Sequence, residues 1–492
     1  MPTDLDRMFT ALGRDADDIP LGDPSTARRR GEGRRRARFI AAGLATACVL
    51  AAGLTGGSWL ARDAAGPEPV APPPDGPVQL GPARPLGDEI RYGGQQVRFG
   101  LTAIAGNRAY AGWQEEDGTL RVAAADLETG KVAWPARTLG EFDDSNGIIA
   151  VPRALLAIGE RNDGTVPDQQ LYVVDPDTGR TRWELPFDIN GDDLLFYDSV
   201  LVHVTEAGAI SARDWDNGKV VWDEAAPADP PVASLGMYGP TDAPPGSSNS
   251  AFPAHLSDPR ILQITAGGAL VVRDSATGAV RSTRPGIGIG ADSHYLAYDG
   301  RLYGTHRGMG PNRVVVAEVD GDGAARELSK AASGRSYLDM VPCGDDRICL
   351  LEGKGLEEST EIAAVDVASG REIWRKPAPN GAQQLVPGGA RVLVAGMAGT
   401  SGETSSALFD HDGTQLLGEA DQRAALAWVS TGTLLSFGNG KLAAVTAADG
   451  SRQELGDSPL KDLQTPRFCS WTHLRLVCPG LTGFQVWDIA PR

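Results

Sequence analysis

The sequence predicts an all-β fold in which one small antiparallel sheet is repeated and the copies stack against each other. Two observations carry this. A phrase made of an apolar run, Asp, three residues, Gly and a Trp four residues on occurs at Asp126, Gly130 and Trp134, at Asp175, Gly179 and Trp183, at Asp214, Gly218 and Trp222, and at Asp366, Gly370 and Trp374. A fifth copy, Asp274 and Gly278, has Ser282 in the Trp position. The copies recur at the period of supersecondary units that cannot bury both faces alone and must stack.

Each part of the phrase has a physical reading. The runs into the Asp, such as Leu171 to Val174 and Leu270 to Val272, are apolar throughout, as in a buried strand. Asp bonds backbone amides two residues on, and Gly takes the positive φ of a tight turn. The chain then re-enters a strand carrying Trp, a large wedge for the neighbouring sheet. Weaker copies continue the series at Asp320 with Gly323, Asp410 with Gly413, Thr446 with Gly450, and Trp487 with Asp488. Successive marks lie 49, 39, 60, 46, 46, 44, 36 and 42 residues apart. Another strand-like run precedes each, among them Leu155 to Ile158, Val200 to Val204, Ile261 to Ile264 and Arg391 to Val394.

Residues 124–134 resemble the tryptophan-docking motif of the pyrroloquinoline-quinone (PQQ) repeat family, A-x-D-x-x-T-G-K-x-x-W, at every fixed position. The resemblance covers about residues 95–492 and implies a β-propeller, as in quinoprotein dehydrogenases, BamB-type assembly lipoproteins and bacterial surface proteins. Such rings usually have seven or eight blades, and closure is expected to share one blade between the chain ends. The expectation is therefore about eight four-stranded blades, with seven to nine possible, the last completed by residues near 88–100. The fold is specified far more sharply than an activity.

Before the repeats, four segments are expected: a cytoplasmic Arg-rich tail (1–37), a transmembrane helix (38–61), a Pro-rich extracellular stalk (62–87) and the propeller (88–492). Phe39 to Leu60 is 22 uncharged positions, about 33 Å as a helix, enough to cross a bilayer. Seven Arg between Arg28 and Arg38 hold the tail in the cytoplasm. A cleaved signal peptide is a rival reading, and Ala45 to Cys48 hints at a lipoprotein site; the long preceding segment and the apolar run beyond Cys48 favour an uncleaved anchor. Gly53 and Gly57 form a small-residue pair that chance explains in so Gly-rich a helix. Eight prolines between Pro67 and Pro85 read as a semi-rigid spacer. Residues 1–62 carry 10 basic and 7 acidic side chains, leaving 36 against 57 for the remainder. So acidic an ectodomain argues against nucleic acid or anionic lipid as partner.

Four cysteines follow the anchor. Cys343 with Cys349 and Cys469 with Cys478 each flank a turn, so a disulfide across each local hairpin is the economical choice among three pairings. Such bonds belong to an oxidising, extracytoplasmic compartment.

Catalysis finds little support. A PQQ dehydrogenase, as the resemblance implies it, needs a disulfide between adjacent cysteines on the quinone and a calcium held by Glu, Asn and Asp beside an Asp base. No Cys-Cys occurs here, nor a C-x-x-C-H haem site, so no cofactor is expected and PQQ with calcium is unsupported. The run Asp188, Asn190, Asp192, Asp193 lacks EF-hand spacing and reads as a turn. Gly286, Gly288 and Gly290 precede no helical pattern and read as close packing. His203, His255, His294, His306, His411 and His473 show no ligand spacing.

Loops are the better signal. The Asp-Gly turns share one face. The preceding hairpin loops and the blade-to-blade connections share the other, and 160–170, 223–260, 307–312, 352–361 and 396–405 are assigned there. Their acidic residues Glu160, Asp163, Asp168, Glu352, Glu357, Glu358 and Glu361 suit a cationic partner, or are a solvated rim. The sequence therefore predicts a single-pass cell-membrane protein, of the anchored actinobacterial type by resemblance, whose extracellular propeller is a non-catalytic binding scaffold for an unknown protein or small ligand. A diverged quinoprotein dehydrogenase, or a sensor signalling through the tail, are the alternatives.

Overall fold

A computed structural model of the chain describes residues 76–491 apart from 94–96, 163–166, 240–255, 291–293, 307–311, 355–359, 380, 399–402, 418–421, 439 and 461–468. The expected tail and transmembrane helix lie outside the described residues. Among the described residues no helix is long and apolar enough to cross a membrane.

The described strands form nine antiparallel sheets, eight of four strands and one of three, arranged as the blades of a closed β-propeller. Strands are lettered a to d from the ring axis outward. Blades 1 to 8 are consecutive in sequence: 97–141, 144–187, 193–224, 231–284, 295–330, 336–377, 382–409 and 425–457. Blade 9 takes strands a to c from Ser470–Trp471, Arg475–Pro479 and Gly483–Asp488, and its outer strand from the start of the domain, Arg84–Arg91.

The count corrects the expected eight. Each of the nine marks is a blade of its own. The chain ends do share a blade, yet the shared strand is the outer one, which carries no mark. The closing segment begins at Arg84, and residues 76–83 lie across blade 8, so 76–87 belong to the propeller and not to the stalk.

Burial explains the strand sequences. The b and c strands pack on both faces, so Val200–Val204 is buried at all five positions and Ala154–Glu160 at all but its last. Outer strands meet solvent, and in Val220–Glu224 only Trp222 is even half-buried. The core consists of slabs between blades. One unites Ile158 and Leu171 of blade 2 with Phe196 and Leu201 of blade 3. Leu and Ile interdigitating across each joint give the ring its main cohesion, about 1.5–3 kcal/mol for each fully buried side chain.

Candidate functional site

The repeat motif builds the joints between blades. At Asp126 the side chain accepts from the Thr129 amide at 2.9 Å and the Thr129 hydroxyl at 2.7 Å, while Gly130 N–H donates to the Asp126 carbonyl at 2.9 Å. Burial alone would push this carboxyl up; the Thr129 bonds and Arg108 hold it below the usual range. Asp175, Asp214, Asp274 and Asp366 build the same turn. The residue after the Asp then offers its carbonyl to the preceding blade. Trp134 Nε1 donates to Pro176 O at 3.0 Å, Trp183 to Trp215 O at 2.9 Å, Trp222 to Ser275 O at 2.9 Å and Trp374 to His411 O at 2.9 Å. Each indole lies over the motif Gly of that next blade. A Cβ on Gly179 would come 2.5 Å from Trp134, and one on Gly413 2.8 Å from Trp374. The glycine is thus required twice, for its positive φ and for the ring above it.

The remaining joints use donors that the sequence pattern missed. Arg284 donates to the Glu318 and Val319 carbonyls, Arg326 to Val367 O, and Arg475 to Leu127 O at 3.1 Å. Around blade 8 the pin is reversed and comes from inner strands. Trp428 Nε1 donates back to Val386 O at 3.1 Å and Trp471 Nε1 to Trp428 O at 2.8 Å. All nine joints therefore hold at least one indole or guanidinium N–H on a neighbour's carbonyl. In blade 5 the motif carboxylate is Glu318, paired with Arg301 as Asp126 is with Arg108, and not the expected Asp320.

Two inner-strand carboxylates add staples near the axis. Asp193 accepts the Ser234 amide of blade 4 at 3.0 Å, and Asp339 accepts the Leu385 amide of blade 7 at 2.6 Å. Burial pushes the Asp339 carboxyl up to about 6 against the pull of the Leu385 and Met340 amides. Both disulfides are those expected: Cys343–Cys349 and Cys469–Cys478, with Cα atoms 5.7 and 4.2 Å apart, each tying strands a and b of one blade. All four cysteines are buried.

The faces needed one correction. Residues 223–260 are not one loop on the face opposite the motif turns. Within them Pro231–Gly236 is the inner strand of blade 4, and the described ends of its a–b connection, 237–239 and 256–259, lie on the motif face itself. Its roots are clipped to the neighbouring inner turns, by Leu256 N–H on Phe196 O at 2.8 Å and by Tyr238 N–H on Ala297 O at 3.0 Å. The other four loops do join strands b and c on the opposite face, at blades 2, 5, 6 and 7.

Their acidic residues divide. Glu352 is 1% exposed and held by Arg335 at 3.0 Å and Arg375 at 2.8 Å, and Glu361 lies 3.2 Å from Arg375. Glu352 is thus paired internally and offers nothing to a cationic partner, whereas Glu361, though paired with Arg375, keeps 37% of its side chain exposed. Glu160 accepts from Asn146 at 2.6 Å. Asp168, half-buried beside it, is raised to about 6 by burial and then by the charges of Asp188 and Glu160. Asp163, Glu357 and Glu358 lie outside the described residues.

The turn of Asp188 to Asp193 is closed by Asp192 N–H on Asp188 O at 2.7 Å, and Asp192 binds His203 Nε2 at 2.8 Å. In the Gly286 to Gly290 connection, Ile287 and Ile289 plug the joint of blades 4 and 5. The disulfides join non-adjacent cysteines inside hairpins, and among the described residues no three His, Cys, Asp or Glu are gathered to hold a metal.

This is a repeat propeller whose recurring motif residues hold blade to blade. Residues 101–286 and 313–459, more than half of the chain, match a family described as outer membrane protein assembly factor BamB, and the chain belongs to that family of PQQ-like β-propellers. No curated protein matches it. Among solved structures it is similar to BamB from Moraxella catarrhalis, with 16% identity, a TM-score of 0.40 and coverage of 82% of this chain and 97% of that one. It is also similar to the computationally designed Ika8 protein, with 14% identity, a TM-score of 0.43 and coverage of 71% and 98%.

Proposed function

We propose that this protein is an interaction scaffold anchored in the cell membrane, with its propeller outside the cytoplasm, and that it binds a protein partner without catalysing a reaction. The observation that carries this reading is the pairing of a ring pinned at every joint with four b–c loops rooted on one face. A stiff platform bearing adaptable loops is how binding surfaces are commonly built. Family membership supports a protein-binding role. The two hairpin disulfides and the 22-residue uncharged segment Phe39 to Leu60 support an oxidising compartment and a membrane anchor.

Photo-crosslinking in intact cells tests it. A photoreactive residue at Asn162 or Pro167, on the b–c loop of blade 2, is expected to give a discrete protein adduct in the membrane fraction. The same residue at Lys131, on the motif face, is expected to give none. Adducts from Lys131 alone, or a protein released by alkaline carbonate, would refute the reading.

A further inference from the structure

Three carboxylates converge where blade 2 passes into blade 3, on the face of the b–c loops. Glu160 ends strand b of blade 2, Asp168 precedes strand c, and Asp188 opens the connection to blade 3. All three are half-buried. Burial, and then the negative charges of Asp188 and Glu160, raise Asp168 to about 6, and its Oδ1 is enclosed without a hydrogen-bond partner. Asp192, by contrast, is already engaged by His203 Nε2 at 2.8 Å and by the Glu206 amide at 2.9 Å.

A neutral side chain at the same place also lacks a partner. Asn146 Nδ2 donates to Glu160 Oε2 at 2.6 Å and to Gln169 Oε1 at 2.8 Å, which sets the Gln169 amide beside the Glu160 carboxylate. Gln169 is 2% exposed, and its Nε2 has no acceptor. A buried donor without an acceptor, next to like charges without a cation, lowers stability, and such arrangements gather where a ligand binds. The groups present select its chemistry. Among the described residues no three carboxylates are gathered closely enough to hold a metal ion. A guanidinium presents five donors in a planar fork and can bridge carboxylates at wider spacing. The Gln169 N–H calls for a carbonyl oxygen. An arginine within a peptide carries both groups.

We propose that Glu160, Asp168 and Asp188 take an arginine side chain of a partner polypeptide, and that Gln169 Nε2 donates to a backbone carbonyl of the same segment. The inference rests on the proposed function, in which a protein docks on the b–c face, and names the chemistry of that partner.

Calorimetric titration of the intact protein with a capped tetra-arginine peptide tests it, with agmatine, a guanidinium that has no peptide carbonyl, as the second probe. Asp168→Asn with Asp188→Asn is expected to weaken peptide binding at least about tenfold, since each carboxylate supplies a charge-assisted bond. Asn at 188 can still accept the Asn190 amide, now bonded at 2.8 Å, so the turn stays closed. Glu116→Gln with Asp117→Asn removes the same charge from the exposed b–c turn of blade 1 and is expected to change affinity less than about twofold. Gln169→Leu should weaken the peptide about fivefold and leave agmatine unchanged. Equal losses from the two charge-matched pairs would overturn the proposal and leave only a general acidic field. A Gln169→Leu effect that is absent, or shared by both probes, would overturn it too, as would a parent protein that does not bind the peptide. The titration needs no native partner, so it can fail while crosslinks from Asn162 persist, and the reverse.

Discussion

Trp374 offers the sharpest test of the pinned joints. Its indole is 9% exposed, donates to His411 O at 2.9 Å, and covers Gly413 closely enough that a Cβ there would lie 2.8 Å from the ring. Trp374→Ala removes a buried aromatic and should destabilise the propeller by about 3–5 kcal/mol. Trp374→Phe keeps most of the area and loses the N–H. His411 O still accepts from Arg347 at 2.7 Å, so no carbonyl is orphaned and the cost should be about 1 kcal/mol. Gly413→Ala meets two penalties: about 1–2 kcal/mol for a φ of +82°, and about 1–3 kcal/mol for intruding on the indole. With Ala at 374 the second penalty disappears. Urea unfolding of the four proteins in the cycle should therefore show a coupling of about 1–3 kcal/mol, the double variant being less destabilised than the sum. Strict additivity would refute the idea that this glycine exists to accommodate that ring.

Other consequences are simpler. Between the ordinary carboxyl value of 3.8 and about 6, folded Asp168 binds more protons than the unfolded chain, so its contribution to stability falls as pH rises through that window. Asp168→Asn should unfold at higher urea than the parent at pH 7.5, and the advantage should vanish below about pH 4; an advantage independent of pH would point to something other than charge. Reduction should cost more than its local loops suggest to the eye: closing rings of 7 and 10 residues contributes about 2–3 kcal/mol each on chain-entropy grounds. Dithiothreitol should therefore lower the urea midpoint, and Cys343→Ser with Cys349→Ser should reproduce about half of that shift. An unchanged midpoint would show that these cross-links do not hold the blades.

The repeated sheets were legible because Asp, Gly and Trp each answer a local demand of one turn and one strand. The acceptors of the indoles were not, since Pro176 O and His411 O are backbone atoms of another blade. Arg284, Arg326 and Arg475 hid for the same reason: any surface arginine looks alike until its carbonyl partner is placed. Blade 5 was misaligned because Glu318 fills the Asp position and Asp320 stands two residues away as a decoy. Pro231–Gly236 was read as loop because proline marks turns; here Pro231 only opens an inner strand, where its missing N–H is tolerated. That strand also decides on which face the described ends of the a–b connection, 237–239 and 256–259, stand. The ninth blade was discounted because sharing a blade between chain ends was taken to consume a mark, when the shared outer strand has none. On the loops, sequence showed charge without showing its partner, and Glu352 proved to be spent inside the fold.

Calorimetric titration of the intact protein with PQQ and Ca²⁺, followed by a dye-linked alcohol oxidation assay on the same sample, addresses the central claim most directly. A scaffold of this construction should give no saturable heat and no turnover. One-to-one binding accompanied by alcohol oxidation would contradict it and make the protein a quinoprotein dehydrogenase with an unfamiliar site.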